Sequence, residues 1–529
     1  MNMTEVQAIT DLLWDGSVEI RESMKIEEYT LYAAGLFFYK YLTDNLLQTL
    51  KDKGVLSGVT MYALQDSYVA AGNQVVTDEQ WDAWRSSGVY AIPTDLTIYA
   101  MVQRYHASTL TISDLQGALQ TIEGLDSRLL DIFGSLRLNE KSLGATEEER
   151  IARIGAVMEQ WAEVPFFSEE YTAADIFEEL LGRCTTALGK GSRSLAVPYT
   201  IARLMKRLTL QDRTSSVAFS LYDPFMASGS LLLAGAATEE ASENITYYGE
   251  ETSRSWYRVA CMNAIINKMT PEQMVLSNGP ALARSGIVHD GDFADGVIIN
   301  GPYRTEWKEP TNPKADPRFM PYHIVPTLKK VDVAFLLHGL YCLKDNGVMV
   351  AILPPRILFN RQVEGRLREL LVRKGLLDAV IGLPPKMFYT TEIPTVILVI
   401  RKQPKHDNVL FIDASREFSY GRKHNFLKKE HIDHIWETYI NRKPVPQYAS
   451  LVTQQEIENR HFNLTISHYV DAFGGEQQVK PMDDVRESLQ AIDKEMESTR
   501  KEIVALLNEM DVTDDAKELL AIAKDVLKL

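Results

Sequence analysis

From residue 217 to residue 413, short apolar runs alternate with stretches of helical periodicity, an order that few architectures accept. The segments 217–222, 245–249, 296–299, 347–353, 377–382, 395–401 and 409–413 read as strands. Between them, 231–242, 253–267, 331–343 and 364–374 read as helices, and 177–188 and 199–208 precede the series as two more. Val297-Ile-Ile299 typifies the runs: β-branched and uninterrupted, as in a strand buried on both faces. Strands alternating with helices predict an α/β fold with a mostly parallel, doubly wound sheet. In such sheets, ligands bind where strands end at their carboxyl edge.

Three of these strand ends carry chemistry. The run 296–299 stops at Asn300-Gly301-Pro302-Tyr303, where Gly-Pro breaks any regular element. An amide beside an aromatic ring suits a nucleobase: Tyr303 would stack on it and Asn300 would accept from its exocyclic amine. An ordinary Asn-Gly turn fits the same four residues about equally well. The first strand runs into Asp223-Pro-Phe-Met-Ala-Ser-Gly-Ser230, an acid and small residues ahead of a helix, which lets a ligand approach the backbone closely. The second ends in Glu250-Glu251, and Glu251 is placed to take ribose hydroxyls. Each alone is also a generic strand-to-helix turn; together in one sheet they point to a nucleotide-like cofactor.

Asp223-Pro-Phe-Met-Ala-Ser-Gly-Ser-Leu-Leu-Leu233 resembles the Asp-Pro-x-x-Gly-Ser-Gly-Ser-Leu-Leu-Leu loop of amino-methyltransferases, and Asn300-Gly-Pro-Tyr303 resembles their Asn-Pro-Pro-Tyr/Phe motif. Across nearly the whole chain the pattern is similar to the modification (M) subunit of type I restriction–modification systems, which are DNA adenine-N6 methyltransferases. Asp316-Pro-Arg-Phe319, Asp332-Val-Ala-Phe-Leu-Leu-His-Gly339, Ile381-Gly-Leu-Pro384, Phe388-Tyr-Thr-Thr-Glu-Ile-Pro-Thr395, Phe411-Ile-Asp-Ala-Ser415 and Asn463-Leu-Thr-Ile-Ser-His-Tyr-Val-Asp471 carry it too, and Leu36-Phe-Phe-Tyr-Lys-Tyr-Leu42 fits the family's helical N-terminal domain. The resemblance implies S-adenosyl-L-methionine as cofactor, held by Pro198, Asp223, Pro224, Ala227, Ser228, Gly229, Ser230, Glu251 and Asn278. It implies catalysis by Asn300, the Gly301 carbonyl, Pro302 and Tyr303 on an adenine flipped from duplex DNA, with no metal. Its expected partners are a specificity (S) subunit that reads the DNA sequence, a second M subunit and a restriction (R) subunit.

The chain departs from the family at four places. Ala227 stands where the loop has Gly, and an Ala forced to positive φ costs roughly 1–2 kcal/mol. Leu195-Ala-Val-Pro198 replaces Phe-Tyr-Thr-Pro, and Asn278-Gly-Pro-Ala-Leu282 replaces Asn-Ala-Asp-Thr-Leu, with Asp290 or Asp292 as substitutes for the acid. Gly301 replaces the first Pro of the catalytic motif, keeping its carbonyl and losing rigidity. These changes also fit a catalytically weakened subunit that clamps DNA in a restriction or phage-defence complex. A protein or small-molecule methyltransferase would use a similar Asn-Pro-Pro-Tyr motif, but the whole-chain pattern argues against it.

Net charge decides how such a chain meets DNA. At −16 it lacks the basic surplus of a protein that grips DNA alone, so a basic partner or a local patch must supply the contacts if DNA is the substrate. No apolar run approaches the ~18 residues of a membrane span, the first residues carry no signal core, and Cys184, Cys261 and Cys342 are too scattered for a metal site, all as expected in the cytoplasm. Residues 1–165 read as a helical N-terminal domain, with 31–42 as a dense apolar helix and Ser113 before Asp114 as a helix cap. Residues 166–474 read as the Rossmann-like methyltransferase domain, with 188–194 as a flexible linker, and 475–529 as a helical tail.

In that tail Val485, Leu489, Ile492, Met496, Thr499, Ile503, Leu506 and Met510 follow four-three spacing. This is a coiled-coil seam or an amphipathic helix folded back on its own domain; the resemblance favours docking on a partner. Ile492→Asp with Ile503→Asp is expected to leave the chain folded but unable to co-purify with its partner subunit, because two charges would lie in the seam. Normal co-purification would make the seam an internal packing feature.

Overall fold

The computed structural model describes residues 3–72, 76–188, 197–214, 216–235, 244–283, 291–301, 314–326, 331–388, 392–421 and 424–471, with 494, 497, 499 and 501 in the tail. It divides into one compact unit, Met1–Val470, and a second, Asp471–Leu529. The seam residues of the tail lie outside the described residues except Thr499, which is exposed, and the linker 188–194 lies outside them beyond Leu188.

Among the described residues ten α-helices come first: α1 (Met3–Gly16), α2 (Val18–Ser23), α3 (Ile26–Asp52), α4 (Met61–Ala71), α5 (Asp78–Arg85), α6 (Ile98–His106), α7 (Ile112–Glu123), α8 (Glu147–Ala162), α9 (Ala173–Leu188) and α10 (Tyr199–Thr209). α3 is the axis. It is buried on every side from Tyr32 to Leu47, as a helix apolar nearly all round must be. The polar residues it takes inside are paired: Lys40 forms an ion pair with Asp44 one turn on, and the Tyr99 hydroxyl donates to the same carboxylate at 2.7 Å. Burial pushes the Lys40 ammonium's pKa down and the Asp44 carboxyl's up, while their pairing opposes both shifts. α7 starts two residues earlier than a Ser113 cap would place it. Thr111 is the N-cap, because the Asp114 carboxylate accepts the Thr111 N–H at 3.0 Å and the Thr111 hydroxyl accepts the Asp114 N–H at 3.1 Å.

The sheet follows, in the order β1 (Phe219–Asp223), α11 (Ser230–Leu233), β2 (Ile245–Glu251), α12 (Arg254–Ile266), β3 (Met274–Asn278), β4 (Ala294–Ile299), α13 (Val331–Cys342), β5 (Leu343–Leu353), α14 (Val363–Arg373), β6 (Leu377–Gly382), β7 (Val396–Arg401), β8 (Asn408–Asp413), α15 (Lys429–Asn441), β9 (Ala449–Thr453) and α16 (Gln454–Asn459). Its strands lie in the order β3-β2-β1-β4-β5-β7-β6-β8-β9. β7 and β9 are antiparallel to their neighbours and the remaining pairings are parallel. α10, α11 and α15 cover one face and α13 and α14 the other, so the expected doubly wound α/β sheet is present. Winding runs from β1 outward to β3, then jumps back past β1 to β4. The switch point, where such folds bind ligands, is therefore the crevice between the carboxyl ends of β1 and β4.

Three differences from the sequence reading have physical causes. The helix expected over 231–242 stops at Leu233, because Ala234 turns extended and Gly235 takes φ +72°; residues 236–243 lie outside the described residues. β3 is a half-exposed edge strand with only Met274, Val275 and Leu276 apolar, too short a run to read. α15 and β9 are likewise interrupted by polar residues. The three cysteines are free and buried. Among the described residues no helix is long and apolar enough to cross a membrane.

The helical bundle and the sheet are one body because they share α12. Val259, Met262, Ile265 and Ile266 belong to the bundle's core, and Ala264 to the core under the sheet. The Lys40–Asp44 pair gives a test of that core. Asp44→Ala alone is expected to cost about 3–5 kcal/mol by stranding a buried ammonium, whereas Lys40→Met with Asp44→Leu should cost clearly less. Urea midpoints of the two variants would check this; equal losses would mean that packing, not charge, sets the cost.

Candidate active site at the carboxyl edge

Strand register lines up the polar residues anticipated from the sequence. Asp223 pairs with Gly249, so Glu251 lies two residues further along β2, and Glu251 pairs with Asn278 of β3. On the other side Tyr222 pairs with Val297, which puts Asn300 just past the end of β4. Asn278, Glu251, Asp223 and Asn300 thus sit on the carboxyl ends of four successive strands. Asp223, Glu251 and Asn300 are buried; Asn278 is exposed, and its amide donates to the Glu251 carbonyl at 2.8 Å, fastening β3 to β2.

The loop after β1 is held from β2, residue by residue. The Met226 N–H donates to the Glu250 carbonyl at 3.0 Å and the Ala227 N–H to the Glu251 carboxylate at 3.1 Å. Gly249 makes room for this, since a Cβ there would collide with the Met226 sulfur. Ala227 has φ +48° and Gly229 φ +78°. Position 227 therefore does need the left-handed conformation, and its Ala is strained. The Phe225 N–H closes a turn on the Asp223 carboxylate at 2.9 Å. Burial pushes the Asp223 carboxyl up to about 7; the Phe225 N–H opposes this and nearby Glu251 adds to it. Burial also raises Glu251, against the donors Ser253 N–H, at 2.6 Å, and Thr252 hydroxyl, at 3.2 Å.

Beneath the loop lies a support that sequence reasoning missed. Asn263 of α12 donates its amide to the Ser228 carbonyl at 3.0 Å and to Glu178 of α9 at 2.7 Å. The Ser228 and Ser230 hydroxyls meet at 2.7 Å, and Ser230 also bonds Glu178, whose carboxyl burial raises. No local pattern marks Glu178 or Asn263, which lie mid-helix and act only through tertiary contacts. A cleft beside Glu178 is lined by Thr172, Asp175, Tyr199, Leu233 and Gly235. Pro198 is the N-cap of α10 and immediately precedes Tyr199, while Pro224 lies in the turn between Asp223 and Phe225.

Phe335 of α13 links the two halves of the crevice. Its ring meets Phe225 edge-on at 5.7 Å, and a Cβ on Gly301 would stand 3.3 Å from its edge. Gly at 301 thus matches a crowded position, and a Pro there would press on the ring. Pro302 and Tyr303 lie outside the described residues, as does Asp290. Asp292 precedes β4 at the opposite, amino edge and forms an ion pair with Lys402, far from a strand-end ligand. Arg318 is fully buried, paired with Asp316 at 2.6 Å and donating to the Leu282 carbonyl at 2.7 Å; it pins the segment that follows Asn278.

A family model described as N-6 DNA Methylase matches residues 168–478. The methylase subunit of the type I restriction enzyme MpnII from Mycoplasma pneumoniae is 26% identical, over 87% of this chain and 88% of that protein. The methylase subunit of MjaVII from Methanocaldococcus jannaschii is 25% identical, over 88% of this chain and 82% of its own length. The crystal structure of a type I restriction-modification system methyltransferase subunit from Streptococcus thermophilus aligns with a TM-score of 0.81 at 32% identity, covering 88% of this chain and 100% of that one. With more than half its length matched by the family and a relative of this identity over most of it, the chain belongs to the N-6 DNA methylases, among the methyltransferase subunits of type I restriction–modification systems.

Proposed function

We propose that the chain uses S-adenosyl-L-methionine to methylate adenine N6 in duplex DNA, in a complex with a specificity subunit, a second copy of itself and, for cleavage, a restriction subunit. One observation carries this: the row Asn278, Glu251, Asp223 and Asn300 across four adjacent strand ends at the switch point. The cofactor is a cation with an ammonium and a ribose, and buried carboxylates at Asp223 and Glu251 fit both. When bound, it supplies an electrophilic methyl group. Glu251 already accepts from Ser253, Thr252 and Ala227, so a ribose diol competes with the Ala227 N–H for its oxygens. Asn278, Ser228, Gly229 and Ser230 complete the cradle, with Pro198 and Pro224 at its margins.

In this reading the Asn300 side-chain oxygen and the Gly301 carbonyl accept the two hydrogens of the adenine amine. That aims the nitrogen lone pair at the methyl group, and catalysis comes from this alignment. Pro302 shapes the pocket and Tyr303 stacks on the flipped base. The strained Ala227 supports a second reading, a clamp that has lost transfer. Labelled methyl incorporated into DNA by the purified complex, and lost in Asn300→Ala with cofactor binding retained, is the expected result. No incorporation together with no cofactor binding by the wild type would leave the clamp.

The raised pKa of Asp223 adds a second test. Below about pH 7 its carboxyl is protonated in the free protein, and a cationic ligand favours the ionised form. Cofactor binding there must release a proton, so affinity should rise as pH increases from about 6 to about 7. Calorimetry should find this rise in the wild type and a flat, weaker profile in Asp223→Asn. A wild-type profile without slope would remove Asp223 from the cofactor's ammonium.

A further inference from the structure

We infer that Lys386, Arg416 and Tyr420 form a docking surface for the phosphodiester backbone of duplex DNA beside the target base; this rests on the methyltransferase reading of the Asn300 site. β6 and β8 are parallel to each other, and β6 and β5 each lie antiparallel to β7, so the chain leaves β6 and β8 at the same edge as Asn300. The described residues of two connections lie there, 383–388 and 392–395 after β6 and 415–421 and 424–429 after β8. Among the described residues they hold four Lys or Arg (Lys386, Arg416, Lys428, Lys429) against two acids (Glu392, Glu417), in a chain whose net charge is −16. This is a local reversal of the molecule's sign at the edge where a polyanion must lie.

Hydrogen bonds tie the described parts of the two segments together. Ser419 and Phe426 pair as a short antiparallel bridge. The Asn425 N–H donates to the Lys386 carbonyl at 2.9 Å and its side-chain amide to the Pro385 carbonyl at 2.9 Å. Leu427, Met387 and Phe388 are buried beneath in the core on that face of the sheet. Glu417 is turned back on α15, 2.7 Å from His434. Lys428 and Lys429 are matched by Glu430 and Asp433 of α15 at 3.8 and 2.9 Å, so they add little to the patch. Lys386 and Arg416 are exposed, and the Tyr420 ring is 85% exposed, braced edge-on against Phe418 at 5.0 Å. Tyr and Arg are among the side chains that bond phosphate oxygens and set the register of a duplex without reading it.

The spacing fits. β8 lies four places from β4, roughly 19 Å at ~4.8 Å per strand. That is about six nucleotide steps at ~3.4 Å each, so a duplex with its target base at Asn300 carries its flank across this surface.

The test is DNA binding by the full chain in the complex that co-purifies with it, on target-containing and unrelated duplexes, over a salt series. Lys386→Ala with Arg416→Ala should weaken both duplexes alike and lower the slope of log affinity against log salt by about two. Tyr420→Ala should weaken binding with the slope unchanged. Cofactor affinity, unfolding midpoint and subunit content should match wild type, and methyl transfer should recover at saturating DNA. Wild-type slope and affinity in the double variant would overturn the inference while leaving the methyltransferase reading intact. Loss of a co-purifying subunit would also overturn it, by giving the surface to a protein partner. A wild-type complex that binds no DNA would overturn both.

Discussion

The side-chain amide of Asn263 holds the loop of the candidate cofactor site to the rest of the molecule. Its two N–H groups go to the Ser228 carbonyl and to Glu178, and its oxygen accepts from Asn267 at 2.9 Å. Both donors and one of the oxygen's two lone pairs are used, and the two acceptors facing the nitrogen fix the amide's orientation. Its helix, α12, is held on the far side by the bundle, where Asp131 takes Arg254 at 2.5 Å and Arg258 at 2.6 Å. The loop over β1 therefore takes its position from α9, which precedes it, and, through α12, from the turn at Asp131 in the bundle. A sheet cut away from that bundle would lose α9, Glu178 and the face of α12 that needs covering.

The loop itself is a balance of opposing terms. Ala in the left-handed region costs roughly 1–2 kcal/mol. Against it stand two backbone N–H groups satisfied in succession, Met226 on the Glu250 carbonyl and Ala227 on the Glu251 carboxylate. A hydrogen bond to a charged group contributes about 1.5–3 kcal/mol, enough to offset the strain. Glu251 thus acts as a brace for the loop as well as a candidate ligand group. A Gly in place of Ala227 would remove the strain but not the need for the brace.

What the sequence discloses follows from how each feature is encoded. Strands buried on both faces, such as Val348–Leu353 and residues 396–400 of β7, are continuous apolar runs and are legible as such. Each site residue directly follows such a run, so strand alternation by itself assigns Asp223, Glu251 and Asn300 to one edge. β3 and β9 have a half-exposed face and too few apolar residues in a row, and α15 alternates charge with apolar positions too closely to stand out. Glu178, Asn263 and Phe335 are invisible for a different reason. Each is an unremarkable helix residue whose meaning lies in what the tertiary fold sets opposite it. The left-handed backbone at Ala227 is foreseeable only as a conditional, because the residue type there speaks against it.

The reversed strand β7 has a consequence for how such a chain can change over time. Running antiparallel between β5 and β6, it makes the segment 383–395 a hairpin connection with both ends anchored on the edge that carries Asn300. A crossover helix must keep the length that spans the sheet, but a hairpin tip has no such obligation. Lengthening or shortening this tip leaves the register of every strand untouched. The same edge that must hold its strand-end side chains fixed therefore adjoins a connection whose length the sheet does not dictate.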